Sequence, residues 1–263
     1  MYSDILLTIE NGIATITINR SQSLNSLTAL TFQELRDAFE NCSDNDEVRA
    51  VVVTGDGKTF SSGGDMGMFD EMLERGIDYE DSRLRALDAG KMAYAARQCK
   101  KPIIAMVNGA CFGAGLSLAL ACDFRIIDQN TKMSTGFINA AFTGDTGSIF
   151  HLKEMLGYAK MTELMMLGPI LNADEIFSLG LASKIAEEGQ LSETTYKLAK
   201  KFANGPTSTY AKQKKLFWEV FFKDYDHYAE LEAQYMAECT STKDFREAIS
   251  AFLEKRPPNF IGE

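Results

Sequence analysis

Short apolar runs at residues 5 to 9 and 13 to 18 flank Asn11-Gly12, and this arrangement predicts a β-hairpin. Over residues 28 to 42 the pattern changes to helical spacing, with Leu30, Phe32, Leu35 and Phe39 on one face. Val51 to Val53 reads as a core strand. Residues 65 to 98 are polar and uneven. A short helix starts at Asp65-Met66-Gly67-Met68-Phe69-Asp70 and ends at Arg75-Gly76, and a longer one covers 82 to 98. Ile103 to Val107 and Phe124 to Ile127 are further strands, with a buried helix over Leu116 to Cys122 between them. Residues 131 to 150 read as a loop leading into a helix near Ser148 to Leu156. Leu179-Gly180-Leu181 ends another helix with a glycine cap. From 190 onward the pattern is helical, broken at Pro206.

Two of these junctions are rich in glycine. One follows the strand ending at Asn108-Gly109 and reads Phe112-Gly113-Ala114-Gly115 before the buried helix. Small residues ahead of a helix let a ligand approach the backbone, where unpaired N–H groups and the positive end of the helix dipole favour an anion. Tight strand-to-helix packing accounts for this stretch equally well on its own. The second junction, Phe60-Ser61-Ser62-Gly63-Gly64-Asp65, also offers bare backbone N–H groups, and two such junctions are able to converge on one oxygen.

These two motifs together resemble the crotonase superfamily, the enoyl-CoA hydratase/isomerase group. "TFSSGGDM" is followed about fifty residues later by "KPIIAMVNGACFGAGLSLALACDFRI". The resemblance also takes in "INRSQSLNSL", "LGPILNADEIFSLGLASKI" and "STKDFREAISAFLEKRPPNF", and so runs nearly end to end. It implies an α/β fold, a crotonase-like spiral of strand-strand-helix units. Residues 1–200 would form the spiral core that binds acyl-CoA, and residues 201–263 a C-terminal helical oligomerisation region. The family's C-terminal helices build trimers, often paired, which implies a homotrimer or dimer of trimers. Phe217, Trp218, Phe221, Phe222, Tyr225 and Tyr228 crowd that region, and burial against another subunit or against the chain's own core explains them about equally.

The bulk properties are ordinary: 263 residues, 45% hydrophobic, 24% charged, without a low-complexity tract. That length buries a substantial core. No apolar run suits a membrane span, and Met1-Tyr2-Ser3-Asp4 lacks the basic start of a signal peptide. Five cysteines without metal-ligand spacing imply reduced thiols in a cytoplasm. A net charge of −10 argues against nucleic acid or an acidic membrane as partner. It also sits awkwardly beside anionic coenzyme A, whose recognition would then be local, through Arg20, Lys58, Lys255 or Arg256. Coenzyme A enters as part of the substrate, and no separate cofactor is expected. With only His151 and His227, a histidine-rich metal site is excluded.

The superfamily's common step forms a thioester enolate whose oxygen accepts two backbone N–H bonds. Carried over residue by residue, the donors are Gly64 and Ala114, and neither role needs a side chain. Leu24, Ser62, Gly63, Asp65, Met66, Gly113, Ser117 and Phe137 are the corresponding substrate-contact positions. Met66, Met68, Phe69 and Met72 are placed to line an acyl tunnel, although a methionine stripe also reads as plain core.

Family hydratases hold water with two glutamates, at the positions occupied here by Ser117 and Phe137. Phe137 holds no water, and Ser117 has no basicity at neutral pH without a base nearby. The two-glutamate mechanism is therefore disfavoured. Asp145, in Thr143-Gly144-Asp145-Thr146-Gly147, stands where family isomerases carry their proton-transferring aspartate. Family dehalogenases use an aspartate there too, with a helper histidine on the helix before the Lys-Pro turn and a tryptophan in the loop, but here residues 82 to 99 contain no histidine and the loop position is Phe137. The competing reading of Asp145 is a helix N-cap. Double-bond isomerisation of an enoyl-CoA with Asp145 as acid/base is the expectation. The alternatives are another crotonase-type reaction (hydratase, hydrolase or dehalogenase) or a non-catalytic CoA-thioester-binding member. Asp123 reads as a structural hydrogen-bond partner, Asp70, Glu71 and Glu74 as a solvated helix face, and Ser117 as a polar residue satisfied within its helix.

Overall fold

The computed structural model describes residues 2–263 and opens with the expected hairpin. β1 (Ile5–Glu10) pairs antiparallel with β2 (Ile13–Ile18), turning at Asn11 and Gly12, both at positive φ. Thr28 and Thr31 form a reciprocal cap that starts α1 (Ala29–Asp44), which buries Phe32, Leu35, Ala38 and Phe39. β3 (Ala50–Gly55) is buried at every position, as a strand covered on both faces must be. β4 (Thr59–Ser61), α2 (Met66–Arg75) and α3 (Tyr79–Gln98) follow.

The next turn of the chain runs through β5 (Ile103–Val107), β6 (Ala110–Phe112) and α4 (Ala114–Ala121), and the one after through β7 (Phe124–Ile127), β8 (Lys132–Ser134) and α5 (Ser148–Leu167). The remainder comprises α6 (Ala173–Ser178), β9 (Lys184–Ile185), α7 (Leu191–Ala203), α8 (Thr207–Phe221), α9 (Tyr225–Thr240) and α10 (Lys243–Leu253).

Long strands form one sheet in the order β1-β2-β3-β5-β7-β9, parallel except for the first pair. Short strands form a second, parallel sheet in the order β4-β6-β8. Each repeat thus sends one strand to each sheet before its helix, which is the strand-strand-helix spiral. The short strands were not anticipated. Three residues are too few to show a period, and the stretch 131 to 150, read as loop, contains β8 and a helical turn at Phe137–Ala140. Two helices are longer than expected. α3 starts at Tyr79, and α5 continues past a kink at Gly157 (φ 74°) as far as Leu167.

α4 is buried at all eight positions, so it shows no amphipathic face and lies at the centre of the core. Cys42, Cys99, Cys111 and Cys122 are buried free thiols, and Cys239 is half-buried. Among the described residues no helix is long and apolar enough to cross a membrane.

The C-terminal helices pack in part on the chain's own core. Phe222, Tyr225 and Tyr228 pack on Phe150 of α5, and Trp218 stacks on Phe222 and meets Tyr94 of α3. Leu216, Phe217, Val220 and Phe221 stay about half exposed on α8. α10 turns back towards the repeats, where Phe245 packs on Phe69 and Phe142.

Candidate active site

The two glycine-rich junctions meet where the small sheet gives way to helices. Ser61 is the last residue of β4, and Gly115 lies against it: a Cβ there would sit 2.6 Å from Ser61 Cβ. Glycine at 115 is thus what lets α4 start so close to the Gly63-Gly64 turn. Gly113, at φ 51°, turns the chain from β6 into that helix. Among the described residues neither the Gly64 N–H nor the Ala114 N–H donates to a protein acceptor. Ala114 is the first residue of α4, where an unpaired N–H is intrinsic to helix geometry.

Both residues line a cavity of about 320 Å³, together with Ser62, Gly63, Met66, Gly113, Phe137 and Asp145. Ala248 and Phe252 of α10 complete its wall. A smaller cavity of about 40 Å³ shares Gly64, Phe69 and Asp145 with it and continues between Met68, Met72, Ala86, Ala89 and Met236. The methionines of α2 therefore divide between the two spaces, with Phe69 on the boundary.

Asp145 does not cap α5: the capping residue is Gly147, and no side chain caps the helix there. Among the described residues its carboxyl instead accepts only from the Thr146 hydroxyl, at 3.0 Å. Burial raises its pKa to about 6, and the Thr146 hydrogen bond opposes this. A carboxylate poised near neutrality beside an apolar cavity is suited to taking and returning a proton. The loop is held in an unusual shape. Thr146, a β-branched residue, has φ 52°, between Gly144 at φ 123° and Gly147 at φ 82°.

Three of the expected contact residues lie off the cavity and do structural work. Leu24, at φ 54° and 59% exposed, accepts the Ser62 N–H through its carbonyl at 3.0 Å. Asp65 caps α2 and accepts from Arg20 (3.1 Å) and Ser26 (2.7 Å). The buried Ser117 hydroxyl reaches the carbonyls of Gly113 (3.4 Å) and Asp145 (3.3 Å), so it bonds within its helix and also ties α4 to the Asp145 loop. Asp123 accepts from the Ile103 N–H and Lys214, as a structural partner should. Among the cations considered for coenzyme A, Arg20 is engaged by Asp4 and Asp65, and Arg256 by Glu247 and Glu254.

A second carboxylate stands behind Asp145 that the sequence did not single out. Glu232 of α9 accepts the Gly147 N–H at 2.9 Å and is hydrogen-bonded to the Tyr228 hydroxyl. Burial raises its pKa to about 8, against those two hydrogen bonds, and the charge of Asp145 raises it further. His151, next in the same cluster, is buried, and burial pushes its pKa well below the usual imidazole value.

Comparison with known proteins identifies the family. The enoyl-CoA hydratase/isomerase family model matches residues 8–263. A trans-2-decenoyl-[acyl-carrier-protein] isomerase from Streptococcus mutans is 29% identical over 100% of this chain and 99% of its own length. A crotonyl-CoA hydratase from Syntrophomonas wolfei is 30% identical over 100% of this chain and 99% of its own. Among solved structures, an enoyl-CoA hydratase from Mycobacterium avium subsp. paratuberculosis superposes with a TM-score of 0.89 at 26% identity, covering 99% of this chain and 100% of that one. A putative enoyl-CoA hydratase from Streptomyces coelicolor reaches 0.80 at 33%, covering 100% and 96%.

Proposed function

Because the chain belongs to the enoyl-CoA hydratase/isomerase family, we propose that it isomerises the double bond of an enoyl thioester, with Asp145 as the single acid/base. The observation that carries this reading is one part-buried carboxylate on the same cavity wall as two unpartnered N–H groups. Serine and phenylalanine stand at the two positions where a hydratase of the resemblance would need glutamates. The isomerase name of the Streptococcus mutans relative is consistent with it.

The Asp145 carboxylate removes a C2 proton from a 3-enoyl thioester. The electron pair moves to the carbonyl oxygen, and the resulting dienolate is held by the N–H groups of Gly64 and Ala114. These bonds strengthen as charge develops, which lowers the barrier rather than merely binding substrate. Protonated Asp145 then returns the proton to C4, leaving the double bond conjugated with the thioester. The substrate is an acyl-CoA, with its acyl chain directed past Phe69 towards Met68 and Met72. We further propose a homotrimer or dimer of trimers, on the exposed apolar face of α8, and a reducing, cytoplasmic setting, on the five free thiols.

The test is a short 3-enoyl-CoA in deuterated buffer, following conjugated-thioester absorbance and deuterium at C2 and C4. Conjugation with label at either carbon, abolished in Asp145→Asn, supports the reading. Undiminished turnover in that variant refutes it.

A further inference from the structure

We propose that Glu232 is a positioning residue for Asp145: it clamps the 144–147 loop through the Gly147 N–H and, as a carboxylate close behind, ties the charge of Asp145 to its own. This inference rests on Asp145 being the acid/base.

The geometry begins with strain. Thr146 occupies the left-handed region, which disfavours β-branched residues, so the loop needs an outside partner to stay in this shape. Glu232 is that partner. It accepts the Gly147 N–H two residues after Asp145, and is itself bonded to Tyr228 one turn earlier on α9. Gly147 packs too closely for a side chain, since a Cβ there would lie 2.5 Å from the Tyr225 hydroxyl and 3.2 Å from His151 Nε2. The clamp comes from a distant helix and acts on backbone, so it fixes where the Asp145 side chain starts.

The electrostatic half follows from the same proximity. Asp145 ionises first, and burial, with the charge of Asp145 adding to it, keeps the proton on Glu232, so the pair carries one negative charge between about 6 and about 8. Above that range a second charge appears beside a site that must also accept an enolate's charge. The neighbouring groups do not supply this titration. His151 of α5 is kept neutral by burial and then by Arg97 and Arg125. Burial pushes Tyr225 and Tyr228 of α9 upward, and Asp226 and Glu232 add to this at Tyr225. Arg97 of α3 sits 5.1 Å over the Phe222 ring and donates to the Leu120 carbonyl.

The experiment is the pH profile of kcat for isomerisation of a short 3-enoyl-CoA by the wild type, Glu232→Gln, Tyr228→Phe and Asp145→Asn. Wild type should fall about fivefold between pH 8 and pH 9, and Glu232→Gln should stay flat there while keeping the acid limb near 6. Tyr228→Phe should move the alkaline limb upward, because the phenol hydrogen bond favours the ionised carboxylate. A Glu232→Gln profile lowered by one factor at every pH would mean a structural prop and overturn the coupling. Should that variant fail to fold, an unmoved limb in Tyr228→Phe overturns it equally. Full activity in Asp145→Asn would instead remove the reading on which this inference rests.

Discussion

Asp145→Asn should make the protein more stable while abolishing turnover. An ordinary aspartate titrates near 3.8 and this one at about 6, so the native state holds the proton about a hundredfold more tightly than the unfolded chain. At 1.36 kcal/mol per factor of ten, keeping the carboxylate ionised in the fold costs about 3 kcal/mol. Its side chain retains an open edge on the cavity, and water there brings the range to ~2–3 kcal/mol. The sign follows from linkage. Below about 3.8 both states are protonated and nothing is lost. Between about 3.8 and about 6 the unfolded chain ionises first and stability falls. Above about 6 the full cost is present. Asparagine has nearly the same shape and no charge, and so removes that cost. Urea midpoints at one fixed protein concentration should rise in the variant by roughly 1 M at pH 7.5, taking a slope of about 2–3 kcal/mol per molar. The advantage should shrink by about 1 kcal/mol at pH 5. A variant equally stable or less stable at pH 7.5, or an advantage independent of pH, would show that Asp145 is held ionised at no cost, and the proton-transfer reading would lose its physical basis.

Two further outcomes test other parts of the structure. Ala114→Pro removes one unpartnered N–H at the first position of α4, where proline is compatible with a helix. It should lower kcat about 10²–10³-fold with little change in melting temperature, and an unchanged kcat would exclude Ala114 as an enolate donor. Phe217→Glu with Phe221→Glu should reduce the mass measured by light scattering to that of a single chain, whereas an unchanged mass would place any subunit interface elsewhere.

The readability of the sequence varied along the chain for physical reasons. Gly63-Gly64 and Gly113-Ala114-Gly115 were legible because their chemistry lies in the backbone and in the absence of side chains, which a sequence states directly. β5 was legible as an apolar run, whereas β4, β6 and β8 are three residues each and carry no period. Asp145 left its capping alternative open because a capping aspartate and a catalytic one look alike locally. Only its distance from the helix start and its sole Thr146 hydrogen bond separate them. Glu232 was hidden because its partner Gly147 is 85 residues away. Its helix, moreover, displays an aromatic cluster that draws attention to packing. Asp65 stood inside the right motif, yet it caps α2 and binds Arg20 and Ser26, a role set by side chains arriving from an earlier loop.

The buried cysteines give this molecule an internal stopwatch. Thiol–disulfide exchange requires a thiolate, and burial pushes Cys42 and Cys122 up to about 12 and shuts out the reagent. A chromogenic disulfide added to the native protein should therefore titrate at most the half-buried Cys239 promptly, and the other four only as often as the chain opens. Cys111 and Cys122 bracket α4 from β6 to its last turn, so their modification rate times the opening of the segment that carries Ala114. A thioester bound across that segment should slow those two sulfurs, and so report occupancy of the site without any catalytic turnover.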